Sequence, residues 1–150
     1  MLIITACLVA VAGCGGQSRS SFVSKANHEC VKAEHQLDAK RLPRTTADGI
    51  DYALNYYTGL DLAVSTLREM SLPHRDAATL RRRWLDPAQH ALTRFLSVDM
   101  PRIRAASRSG DSATVNNELR RLERAGSDGV DAGYLKDLGV SSCLPLFGTA

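Results

Sequence analysis

The chain reads as all-α, an antiparallel four-helix bundle whose third helix is kinked and whose first helix is tied to the carboxy-terminal tail by a disulfide. Three observations predict this. Apolar residues recur three and four positions apart through four successive stretches, the period of a helix with one buried face. Hydrophobic residues make up 44% of the 150 but aromatics only 5%, and the few prolines lie mostly between the apolar repeats, which favours helices over sheets. Finally, one cysteine falls in the first stretch and another just after the last.

The first helix is expected from Ser21 to about Arg41, with Phe22, Ala26, Cys30, Ala33 and Leu37 on one face. Leu42 and Pro43 end it. Thr45 and Asp48 have capping-box spacing, in which each side chain satisfies a backbone N–H left free at a helix start. The second helix follows, with Ile50, Ala53, Tyr57, Leu60, Val64 and Leu67 as its seam, and closes near Ser71 because Pro73 disfavours helical geometry before it. From Pro73 to about Ser109 runs a long segment with Leu80, Trp84, Ala88, Ala91 and Phe95 inward. Pro87 and Pro101 each remove a donor and should bend it, with two collinear pieces as the alternative; Asp86 is placed to cap a fresh start. Ser109, Gly110 and Asp111 make a stop and a new cap. A fourth helix is expected from about Ser112 to Leu138, buried first through Val115, Leu119 and Leu122; beyond them Gly126, Gly129 and Gly133 occur at small-residue spacing, which either lets a neighbouring helix approach closely or frays the helix there. Gly139 suits its carboxy-terminal cap, and Val140 to Ala150 reads as an extended tail packing back through Leu144, Leu146 and Phe147.

Ahead of the bundle lies Leu2 to Cys14, an uncharged apolar run too short for the roughly 20 residues of a spanning helix but suited to a secretory signal core. Its end, Val11, Ala12, Gly13 and Cys14, resembles the lipobox of bacterial lipoproteins. That resemblance implies cleavage after Gly13, a diacylglyceryl group on Cys14, and an acylated domain on the outer face of the cell membrane. Several acyl chains hold a protein stably on a bilayer, each buried methylene contributing about 0.8 kcal/mol. Residues 1–13 are then a signal peptide, 14–20 a lipidated flexible tether and 21–150 the helical domain. The basic residues that usually precede such a run are absent, which leaves a start codon upstream of Met1 open, and Ile4 to Cys7 forms a second lipobox-like stretch with too short a core before it.

With Cys14 acylated and the chain outside the cytosol, Cys30 and Cys143 remain as an expected disulfide, two free buried thiols being the alternative. Around them, Ala26, Asn27 and Cys30 face Leu138, Gly139, Val140 and Cys143 in a layout similar to that of small exported helical lipoproteins of actinobacteria. Phe22 and Tyr134 belong to the same pattern. The motifs of that family are structural, and the resemblance implies no particular activity.

The net charge of +3 is mild, but the arginine excess falls between Pro73 and Arg124. An extracytoplasmic address argues against nucleic acid as a partner and leaves anionic headgroups or an acidic envelope polymer, or simply a solvated face of arginines of the kind a GC-rich genome encodes. Chemistry is sparse. His28 and His35 share a helix face, yet no metal-binding motif accompanies them, and Asp128, Asp131 and Asp137 lack the alternate oxygen ligands of a calcium loop. No nucleophile turn or phosphate loop is present, so neither catalytic residues, metal nor cofactor is expected. Tyr52 and Tyr56 lie off the apolar seam of the second helix and suit a partner surface, a covering helix being the equal alternative. The expectation is a non-enzymatic envelope module bound to lipid through its anchor and to an envelope protein or polymer. The alternative is a small-ligand carrier or sensor with a pocket between helices near Pro87 or the glycines.

Overall fold

A computed structural model describes residues 17–38, 45–125 and 129–147, and every regular element among them is helical. The lipobox, the tether before Gln17, Gly126 and Asp128 lie outside the described residues, as do the side chains of Leu37 and Leu122.

Helix α1 spans Arg19–Asp38, starting ahead of the expected Ser21 because Ser18 serves as its cap. The Ser18 hydroxyl accepts from the Ser21 N–H at 3.2 Å, and its carbonyl receives the Phe22 N–H at 3.0 Å. Helix α2, Thr46–Glu69, opens on the expected capping box: Asp48 N–H donates to Thr45 Oγ1 and Thr45 N–H donates to the Asp48 carboxylate, both at 3.1 Å.

The stretch from Ala77 to Arg108 is helical without interruption, but its hydrogen-bond register changes twice. Helix α3 (Ala77–Leu80) passes into a π-turn at Arg81–Leu85, α4 (Asp86–Arg94) into a second at Phe95–Asp99, and α5 is Met100–Arg108. In each turn an N–H reaches five residues back, Asp86 to the Arg81 carbonyl and Met100 to the Phe95 carbonyl. A proline stands two positions past the end of each turn, Pro87 and Pro101. Proline has no N–H, and its ring crowds the carbonyl four residues before it; the wider turn absorbs both mismatches without ending the helix. Asp86 does not cap anything. Its carboxylate instead accepts from Arg68 on α2 at 2.5 Å.

The last arm differs from the single helix expected over Ser112–Leu138. Helix α6 covers Ser112–Ala125, and a separate α7 covers Ala132–Leu138. Gly129 sits at φ +82°, a left-handed conformation no helix continues through, and Asp131, in extended geometry, caps the restart by accepting from the Tyr134 N–H at 2.8 Å. The expected stop at Ser109–Asp111 is present: Gly110 has φ +75°, and Asp111 accepts from the Thr114 N–H at 3.0 Å. The tail is not extended. A 3-10 turn at Ser141–Cys143 leads into α8, Leu144–Phe147.

The described core has two parts, strung along α2 and the Ala77–Arg108 segment. The larger gathers Phe22, Ala26 and Cys30 of α1, Leu60, Val64 and Leu67 of α2, Leu80, Trp84 and Leu85, and Leu135, Val140, Cys143 and Phe147. Phe22 and Phe147 both meet Trp84 edge-on, with centroids 6.4 and 6.2 Å away. The smaller holds Ile50, Phe95, Met100, Ile103, Ala106 and Val115. Tyr57 touches both, its ring 3.9 Å from that of Phe95. Contacts between the two long segments run in opposite senses: Arg68 meets Asp86, Asp61 meets Gln89, and Tyr57 meets Phe95.

Candidate functional site

The residues singled out at the two ends of the sequence come together along one seam. Cys30 and Cys143 form a disulfide with Cα atoms 5.1 Å apart, joining α1 to the 3-10 turn. Both are fully buried. One turn earlier on α1, Asn27 faces the same segment with both ends of its amide engaged: Nδ2 donates to the Gly139 carbonyl at 2.9 Å, and Oδ1 accepts from the Ser142 N–H at 3.0 Å. Ala26, fully buried, lets the turn approach closely enough for the Cys143 sulfur to lie 3.6 Å from the Ala26 carbonyl. Gly139 caps α7 at φ +92°, and a Cβ placed on it would lie 3.6 Å from Val23. Ala-Asn-x-x-Cys and Leu-Gly-Val-x-x-Cys are therefore two halves of one clamp. Arg19 extends it by donating to the Asp137 carbonyl at 3.2 Å.

A second clamp was not anticipated. Arg83, in the first π-turn, donates through Nε to Asp131 at 2.9 Å and through a second nitrogen to the same oxygen, while the Arg83 carbonyl receives the Asp131 N–H at 3.0 Å. Its guanidinium also lies 4.8 Å from the ring centre of Tyr134. The Tyr134 N–H donating to Asp131, then the Arg83 guanidinium, hold that carboxyl below its usual range. Burial pushes the Tyr134 phenol up, and the nearby Asp76 carboxylate adds to it. Asp131, weighed from sequence only as a calcium ligand, is thus a helix cap and an arginine partner. The legible signal was its place at the start of an apolar repeat, two residues after Gly129.

Tyr52 and Tyr56 are half-buried and stack on each other, with centroids 6.2 Å apart and planes 25° from parallel. Tyr56 also meets Tyr57 edge-on at 5.4 Å and packs on the larger core, so only part of this pair faces outward. The most exposed large apolar side chain described is Leu62, on the same helix, at 66%. His28, His35, His74 and His90 are all exposed, and among the described residues no three His, Cys, Asp or Glu side chains group to hold a metal ion. Near Pro87, where a ligand pocket was one expectation, Gly129 packs so closely that a Cβ on it would lie 3.2 Å from the proline ring. Among the described residues, no hydrogen-bond partner meets the Trp84 indole N–H, deep in the larger core.

No protein-family model, no curated protein and no solved structure matches the chain.

Proposed function

We propose that the protein is a lipid-anchored lipoprotein on the outer face of the cell membrane, related to the small exported helical lipoproteins of actinobacteria and acting as a non-enzymatic interaction or structural module. The arms α1, α2, the Ala77–Arg108 segment kinked at its prolines, and α6 would make an antiparallel four-helix bundle. The opposed contacts of α2 with Ala77–Arg108 support that arrangement.

The observation that carries the proposal is the buried Cys30–Cys143 disulfide. Such a bond persists in an oxidising compartment, and the lipobox-like Cys14 supplies both the export route and the anchor. The polar groups that the fold draws together, Asn27, Asp131 and Arg83, are engaged in joining helices and turns. A surface role agrees with this, with Tyr52 and Tyr56 and an envelope protein or polymer as partner.

A carrier or sensor is the second reading, favoured by one feature: the unmet Trp84 N–H is a donor that an apolar ligand with one acceptor would satisfy. Membrane fractionation of a Cys14→Ala variant tests the anchor. The variant is expected in the soluble fraction; retention on the membrane refutes lipidation at Cys14.

A further inference from the structure

Among the described residues one charged side chain is buried, and it stands in the second π-turn: Asp99, 7% exposed. Leu92, Phe95, Asp99, Ile103 and Ala106, three and four residues apart, are all buried, so Asp99 occupies a core position of the apolar repeat. A carboxylate in such a place is costly unless hydrogen bonds or a cation meet it. Neither does so among the described residues. Asp99 precedes α5 yet makes no cap bond there, and no other side-chain hydrogen bond or ion pair reaches it. Arg102, three residues on, pairs with Glu118 instead, at 3.4 Å. The fold thus holds a buried acceptor that its own groups leave unmet. It does so in a π-turn, a feature that recurs where helices carry functional groups.

The surroundings select the kind of cation. Phe95 opens the same π-turn, and its ring lies 3.9 Å from that of Tyr57 on α2. Tyr57 meets Tyr56 at 5.4 Å and Tyr56 meets Tyr52 at 6.2 Å, so ring follows ring from the half-buried Tyr52 inward to Phe95. Contacts between α2 and this segment run in opposite senses, so the turn of α2 before Tyr57 comes opposite Asp99. Ala53 stands there, and its methyl group fills less of the space between the helices than Ile50 or Tyr57 on either side. A metal ion would be poorly served, since it takes several ligands and no three His, Cys, Asp or Glu side chains gather among the described residues. One carboxylate beside aromatic rings suits an organic ammonium ion, held by charge-assisted N–H bonds and by the ring faces.

We propose that the second π-turn carries a binding site for a small primary alkylammonium ion, with Asp99 as its counter-charge and acceptor and with Phe95 and Tyr57 as its aromatic lining. A primary ammonium brings both what the carboxylate lacks, N–H donors and a positive charge, and its alkyl chain suits the apolar side chains of the smaller core. The site lies in the other part of the core from Trp84 and depends neither on that donor nor on the Cys14 anchor.

The test titrates the full-length protein with n-butylammonium chloride by calorimetry at neutral pH. Binding is expected with a Kd of about 1 mM, the range open to so few non-hydrogen atoms. Asp99→Asn keeps the shape of the side chain but removes its charge, and should weaken binding by about tenfold or more. Tetramethylammonium supplies the charge without an N–H and should likewise bind about tenfold more weakly. Asp99→Leu separates a ligand group from a structural one: with no ligand present it should raise Tm by about 2 to 4 °C, because an unmet buried acceptor gives way to apolar contact. The proposal is overturned by absence of n-butylammonium binding at about 10 mM, by unchanged affinity in Asp99→Asn, by equal binding of tetramethylammonium, or by a Tm lowered in both variants. A lysine-containing peptide that binds more tightly than n-butylammonium would put the ammonium on a protein partner and overturn the small-ligand assignment.

Discussion

Breaking the Cys30–Cys143 bond perturbs this fold in a way the structure allows to be sized. The bond spans a sequence separation of 113, and closing a loop of that length in the unfolded chain costs about 4 to 5 kcal/mol of entropy on the chain-entropy model. Reduction returns that entropy to the unfolded state while the Asn27 bonds to Gly139 and Ser142 still hold the seam in the folded one. The reduced protein is therefore expected to keep its helical content but lose about 4 kcal/mol, which lowers Tm by about 15 °C for a domain of this size. Urea unfolding with and without reductant measures it, and the slope against urea should rise because an unlinked chain exposes more surface. Intact-mass analysis after alkylation gives the companion result, no modified thiol at Cys30 or Cys143 before reduction and two after. A loss below about 2 kcal/mol, with an unchanged urea slope, would refute the loop-entropy account.

Three further outcomes follow from single side chains. Asn27→Ala removes two hydrogen bonds that join α1 to the tail and should cost about 1 to 3 kcal/mol in urea unfolding, whereas a change near zero means that water replaces both. Gly139→Ala should cost about 1 to 2 kcal/mol, because φ +92° disfavours any Cβ while Val23 leaves it room; comparison with Gly139→Asn, which tolerates that backbone better, isolates the conformational part. Asp131 has a folded pKa below its unfolded value, so its stabilisation is present above the unfolded carboxylate range near pH 4 and is lost as pH falls through the folded value. The midpoint of urea unfolding should therefore fall less steeply below pH 4 in Asp131→Asn than in the parent, and parallel acid limbs would contradict the assignment.

The helical class and much of the core follow from period alone. Phe22, Ala26, Cys30, Leu60, Val64, Leu67, Leu80, Trp84 and Val115 are buried where a 3.6-residue repeat places them. The capping box at Thr45 and the stop at Gly110 were legible for the same reason, since each depends on a few adjacent residues and the backbone they share. The partnering of Cys30 with Cys143 was also legible without coordinates, from the small number of cysteines and the expectation of export. Other features depended on neighbours distant in sequence. Whether Pro87 and Pro101 end a helix or widen one turn of it is decided by the packing of Trp84 and Phe95, which keeps both sides of each proline in the core. The break before α7 is held by Arg83 reaching across to Asp131, a pair 48 residues apart that no periodicity encodes. Asn27 likewise reads as a polar residue on a helix until the tail folds back and presents Gly139 and Ser142 to it. Local sequence determined which stretches coil and which faces are apolar, because those preferences act within a turn or two of the backbone. Tertiary structure decided where helices restart and which polar groups pair, because a hydrogen bond has direction, and its partner exists only once the chain has brought it there.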